Sequence, residues 1–261
     1  MEGVIKAGWY REKRPRPCIQ PLVLCVEASF FMKTVGIIGG FGPETTAKFL
    51  MLLISLWQKK NQNTRPEILL WNAPVDNKIE QKFILTGKNA RKLLPLVISG
   101  ARKLEAGGAD FLVLPCNSLH IFMKNIRESV GIPILSIVEE TTKFVAGKKI
   151  GQVGLLGTKA TIKSGIFNSR LRKHHISVLV PEVGEQTSLN AVIHNLVRGR
   201  KTNRDSREVI RLVKRMAQDG TRDIILACTD LQLLVLKQKK VNLIDTLEVL
   251  AKATVEKMRE Q

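Results

Sequence analysis

The sequence predicts an α/β protein of two similar lobes, each a parallel sheet flanked by helices. Three observations carry that reading. Apolar runs of strand length alternate with segments of helical period from residue 35 onward, the order expected of parallel βαβ units. Several runs are unbroken, as in strands buried on both faces. The two halves also echo each other. Val35-Gly36-Ile37-Ile38-Gly39 matches Val153-Gly154-Leu155-Leu156-Gly157, and Leu104 through Gly108 to Cys116 matches Met216 through Gly220 to Cys228 at constant offset. Pro133 to Glu139 and Asn242 to Glu248 follow in the same order, which points to lobes related by a pseudo-twofold axis.

Residues 1–31 differ from the rest. They carry Arg11, Lys13, Arg14 and Arg16, three prolines and a short apolar run from Pro21 to Phe31. A basic stretch before an apolar one is signal-like, but no small-residue cleavage site follows. Met32-Lys33-Thr34 leads straight into a strand, so Met32 is expected to be the natural start and 1–32 an extension. Strands are then expected at 35–39, 67–72, 111–115, 133–137, 152–157, 176–180, 223–227 and 242–245. Helical periodicity covers 45–60, 89–106, 119–129, 160–173, 187–198, 205–218 and 246–259. Gly107-Gly108 and Asp219-Gly220 provide stops after two of these helices.

The chain has 261 residues, enough for two modest domains, and 44% hydrophobic with 25% charged residues is a globular composition. No apolar stretch reaches the roughly 20 residues of a membrane span. Four cysteines without regular spacing make neither a disulfide framework nor a CxxC zinc site, so a reducing, cytoplasmic setting is expected. Lys and Arg number 42 against 23 Asp and Glu, a formal charge of +19 that favours anionic partners. The basic residues are scattered on helical segments with few aromatics between them, so no specific nucleic-acid site is expected, only weak salt-sensitive binding. His174, His175 and His194 have no acidic or thiol neighbours in sequence and suggest no metal site.

Two settings carry candidate chemistry. Gly36-Ile37-Ile38-Gly39-Gly40-Phe41-Gly42-Pro43 follows a strand and opens a helix, the right context for a phosphate turn, but the spacing is neither GxGxxG nor GxxxxGK[ST]. A turn whose amides, at Phe41 and Gly42, line a small-carboxylate site is favoured instead. The second setting is the cysteine pair. Cys116 and Cys228 each close a buried strand, and Asn117-Ser118 or Thr229-Asp230 follow at a helix start. Ligands of open α/β sheets bind outside the carboxyl ends of strands. Two thiols so placed, one per half, can face one small molecule from opposite sides, as a two-base proton transfer requires. Helix starts are expected to lower thiol pKa values.

These residues together resemble the aspartate/glutamate racemase family: the Gly-rich string at 36–43, Pro115-Cys116-Asn117-Ser118-x-His120 and Cys228-Thr229-Asp230-Leu231, with the linking segments between them. The resemblance covers about 33–255. It implies two α/β lobes with the active site in the cleft between them, a homodimer, and cofactor-independent racemisation of a small acidic amino acid. It implies lobes of 33–132 plus 243–261 and 133–242, the last helix crossing back to the first lobe. Cys116 and Cys228 are then the catalytic thiols, one a thiolate base and the other a thiol acid on the opposite face. Asn117, Ser118 and Thr229 carry donors for the α-carboxylate. Asp230 receives the ammonium group or orients Cys228, with a plain helix cap as the alternative. Lys163 stands where the family often places a basic residue facing the cleft, and would meet a side-chain carboxylate or simply face solvent. Where the family often carries Asp-Arg, this chain has Asp76-Asn77-Lys78 followed by Glu80-Gln81, so Lys78 and Gln81 become the candidate carboxylate-binding residues. His120, one turn past Cys116, is expected to hydrogen-bond structurally. Two other readings stand beside the racemase: an isomerase or hydantoin racemase on the same scaffold, and a non-catalytic anion-binding protein.

Overall fold

The computed structural model describes residues 32–234 and 241–260. Residues 1–31 of the expected extension, with Cys18 and Cys25, lie outside the described residues. The first half runs β1 (Val35–Gly39), α1 (Pro43–Lys60), β2 (Ile68–Asn72), α2 (Asn77–Thr86), α3 (Leu94–Ala106), β3 (Phe111–Val113), α4 (Met123–Arg127) and β4 (Ile134–Leu135). Helix α5 (Ile137–Gly147) leads into β5 (Gln152–Gly157), α6 (Lys159–Ser164), α7 (Asn168–Arg172), β6 (Ser177–Leu179), α8 (Val183–Val197), α9 (Asn203–Gln218), β7 (Asp223–Ala227), β8 (Asn242–Asp245) and α10 (Thr246–Arg259).

Both sheets are parallel and share one topology. The first is ordered β2-β1-β3-β4 and the second β6-β5-β7-β8. The internal echo in the sequence is therefore an echo in topology. Central strand β1 is wholly buried, whereas edge strand β2 leaves Leu70 44% exposed. The boundaries expected at 133 and 243 need moving. Ile134 and Leu135 pair with Leu112 and Val113 of the first sheet, and Asn242 to Asp245 pair with β7 of the second. Hydrogen bonding therefore divides the sheets after Leu135 and after Asp245. Helix α10 starts beside β8 and packs against α1 and α5.

Three expected helices are shorter or broken. Pro95 has no N–H to give an earlier turn, so α3 begins at Leu94 after a separate 3-10 turn at Ala90–Lys92. The segment 160–173 splits at Gly165 into α6 and α7. After Cys116 comes a 3-10 turn, Ser118–Phe122, and only then α4. Helix α2 covers residues where no helix is expected from the sequence. Asp76 caps it, its Oδ1 accepting from the Lys78 and Ile79 amides at 2.7 and 3.1 Å. No described helix is long and apolar enough to cross a membrane.

The lobes share core. Ile84 of α2 is 6% exposed and packs among Leu189, Val192, Ile193 and Leu196 of α8. Burying an aliphatic side chain this far contributes roughly 1.5–3 kcal/mol. Polar contacts add to the seam: Asn117 donates to Thr246, and Thr229 donates to the Pro115 carbonyl.

Candidate active site

The strand ends converge on one cleft, and both thiols line it. Cys116 follows β3 and Cys228 follows β7, the equivalent third strand of each sheet. Neither is in a disulfide; Cys116 is half-buried and Cys228 buried. The cleft is narrow and opens in part to solvent.

The Gly-rich turn forms one wall. Gly40 and Gly42 have φ of 89° and 87°, a left-handed backbone that suits glycine. A side chain at Gly40 would place its Cβ 2.3 Å from the Ala73 amide nitrogen, and one at Gly42 would come within 3.2 Å of Asp230 Oδ1. The turn is thus shaped to bring α1 against the second lobe's carboxylate. Thr45 of α1 donates to Asp230 Oδ1 at 2.6 Å, and the Cys228 thiol donates to Asp230 Oδ2 at 3.7 Å.

A knot of hydroxyls forms another wall. Ser118 Oγ, Thr158 Oγ1 and Thr161 Oγ1 lie 2.9–3.0 Å from one another. Each hydroxyl both gives and accepts, so this triangle can rotate a proton toward an anion in the cleft. Asn117 is oriented by Thr246. The Thr246 hydroxyl donates to the Leu226 carbonyl, so it accepts from Asn117 Nδ2. Asn117 Oδ1, buried, has no hydrogen-bond partner among the described residues.

Electrostatics differ from the sequence expectation for the thiols. Burial pushes the Cys116 thiol up to about 12; the Leu119 and Ser118 amides pull it down, while Asp230 and Glu80 add to the rise. Cys228 is raised well above the ordinary range by burial and by Asp230. Short 3-10 starts thus fail to offset desolvation and negative neighbours, and the balance favours the thiol form of both cysteines. Asp230 is itself raised, chiefly by burial. Glu80 is pushed up to about 7 by burial, then by Asp230 and Glu44.

His120 is settled by its contacts. The Ile137 amide donates to Nε2 at 3.2 Å, so Nδ1 carries the hydrogen and donates to the Cys116 carbonyl at 2.9 Å. Burial lowers its pKa to about 4 and keeps it neutral. It holds the Cys116 backbone against α5, the structural role expected of it.

Phe41, Gly42, Asn117, Ser118, Thr229 and Asp230 all line the cleft with the thiols. Three candidates do not. Lys163 is exposed on α6, in a separate surface groove with Lys159 and Val183. Lys78 is exposed and Gln81 half-buried on α2, outside the cleft lining. The reason is helical phase: at about 100° per residue, Glu80, Phe83 and Ile84 share one face, and Lys78 points away from it. No helix is expected from the sequence over 77–86, so Phe83 and Ile84 go unnamed there and Glu80 is given no role. The Asp76 cap and Gly87 after the helix were the signals that could have found them. Among the described residues, no group of His, Cys, Asp and Glu is arranged to hold a metal ion.

Residues 38–254 match the profile of the family described as Asp/Glu/Hydantoin racemase. The chain is 30% identical to the broad specificity amino-acid racemase RacX of Bacillus subtilis, over 85% of this chain and 96% of that protein. It is similar in structure to the aspartate racemase of Picrophilus torridus, with TM-score 0.71 and 26% identity over 88% of this chain and 95% of that one. An aspartate racemase homologue from Pyrococcus horikoshii gives the same TM-score and identity, over 88% of this chain and all of that one.

Proposed function

The chain belongs to the Asp/Glu/hydantoin racemase family, and on that premise we propose that it racemises a free α-amino acid by proton transfer between Cys228 and Cys116, without a cofactor. The supporting observation is that two equivalent strands, one per sheet, deliver free thiols to a single cleft.

The substrate's α-carboxylate meets the hydroxyls of Ser118 and Thr158, and that of Thr229 once its proton turns from the Pro115 carbonyl, and its ammonium group meets Asn117 Oδ1. In one direction Asp230 takes the Cys228 proton, to which it is already hydrogen-bonded. The resulting thiolate removes the Cα proton. Cys116, still a thiol, gives its proton to the opposite face of the carbanion. The cycle leaves Cys228 protonated and Cys116 as thiolate, ready for the reverse enantiomer or for reprotonation after product leaves. The raised thiol pKa values suit this chemistry, because a desolvated thiolate is a stronger base toward a weak carbon acid. Cytoplasmic action and assembly as a homodimer belong to the same proposal; sedimentation of the purified chain tests the latter.

The test is α-proton exchange. Incubation in D2O with single enantiomers should give deuterated product of both hands, and Cys116→Ala or Cys228→Ala should abolish racemisation. Racemisation surviving either change would sink the two-thiol assignment. Loss of all exchange beside tight, salt-dependent anion binding would favour the non-catalytic reading.

A further inference from the structure

The proton transfer leaves one wall of the cleft unexplained. Glu80 and Phe83 with Ile84 one turn on come from α2, and Ile193 with Val197 from α8. Together they form an apolar slot that bears a single carboxylate. The formally charged side chains among the described lining residues are Glu80 and Asp230, both negative. The lysines expected to supply positive charge, Lys78 and Lys163, lie elsewhere and exposed.

The two acids differ in their commitments. Asp230 is bound to Thr45 and Cys228. Glu80 makes no side-chain hydrogen bond or ion pair among the described residues, and the charges that raise its pKa are the carboxylates of Asp230 and Glu44. Its pKa of about 7 follows from burial beside the like charges of Asp230 and Glu44.

Resting on the racemase reading, we propose that Glu80 selects the substrate side chain, and that the cleft takes α-amino acids with an aliphatic stem ending in an ammonium or guanidinium group. The stem lies along Phe83, Ile84, Ile193 and Val197, as lysine and arginine stems lie on apolar surface elsewhere. The cationic head meets the Glu80 carboxylate. A side chain ending in carboxylate would instead bring a further negative charge against Glu80, in a poorly solvated cleft that also holds Asp230. The overall charge of +19 acts the other way. It is spread over the surface and screened beyond roughly 8–10 Å, whereas Glu80 lines the slot itself.

The experiment uses the full chain and the E80Q variant, with racemisation of L-lysine, L-arginine, L-norleucine, L-glutamate and L-aspartate read by chiral chromatography. Lysine and arginine should exceed glutamate and aspartate in kcat/KM by about ten- to a hundredfold, the worth of a charge-assisted hydrogen bond. E80Q should lower the lysine-to-norleucine ratio by about the same factor, mainly through KM. A preference for glutamate or aspartate would overturn the proposal and leave the racemase reading standing. So would an E80Q variant that slows every substrate equally, which marks a proton-transfer role. Failure to racemise any of the five would remove both.

Discussion

Thr45 in the first lobe donates a 2.6 Å hydrogen bond to Asp230 in the second, and the same carboxylate accepts from the Cys228 thiol through its other oxygen. One side chain thus fastens the lobes together and sets the proton affinity of the group beside the thiol. Thr45 is fully buried and Asp230 nearly so, which leaves water little chance to substitute for either partner.

Thr45→Val keeps the shape and removes the donor. Asp230 Oδ1 is then buried without its partner, at a cost of about 1–3 kcal/mol. Thr45 now lowers the Asp230 pKa, so its loss raises it further and reduces the fraction able to accept the Cys228 proton. Denaturant unfolding should show the destabilisation, and the rising acid limb of kcat against pH should move to higher pH. An unmoved limb would separate Asp230 from the proton transfer.

Glu80 links stability to pH in a direction opposite to most carboxylates. Its folded pKa of about 7 lies above the ordinary 4.5, so the folded state holds the proton more tightly than the unfolded chain. Stability from this residue is full below pH 4.5 and is lost as pH rises through 7. The difference corresponds to at most roughly 3.5 kcal/mol, since one pKa unit is about 1.4 kcal/mol. Glu80→Gln should therefore unfold at a higher temperature than the parent at pH 8, with the gain vanishing near pH 4.5. Parallel melting curves across that range check the sign.

His120 works the other way. Its folded pKa is about 4 against 6.5 for a free imidazole, so its contribution is full above 6.5 and is lost as pH falls toward 4. His120→Gln should remove about 2–3 kcal/mol at pH 7.5 and flatten the acid limb of the stability curve. Activity of the parent between pH 5 and 8 should carry no ionisation from this imidazole, which fluorine or proton resonance of the labelled ring would confirm by staying constant.

The strands were legible because they are unbroken apolar runs: Ile37, Leu112, Leu155 and Ile225 sit where burial on both faces demands them. The thiols were legible for the same reason, each standing at the end of such a run. No helix is expected from the sequence at α2 or α5, although α5 buries Ile137, Val138, Thr141, Thr142 and Val145 on one face; the caps, Asp76 and Ser136, mark both starts. Missing α2 had a direct consequence for the site, since only a helix puts Glu80 inward and Lys78 outward. The lobe seam was not legible either. Pairing of Ile134 with Leu112 and of Asn242 with Asp223 is a long-range choice that local sequence does not encode.

Ile84 belongs at once to the wall of the cleft and to the interior of the opposite lobe. Widening the slot along α2 and α8 therefore means drawing an oily plug out of its socket and wetting it. Breathing of the site and loosening of the fold become one event on that side, so agents that strengthen or weaken apolar association should act on substrate traffic as they act on the melting of the protein.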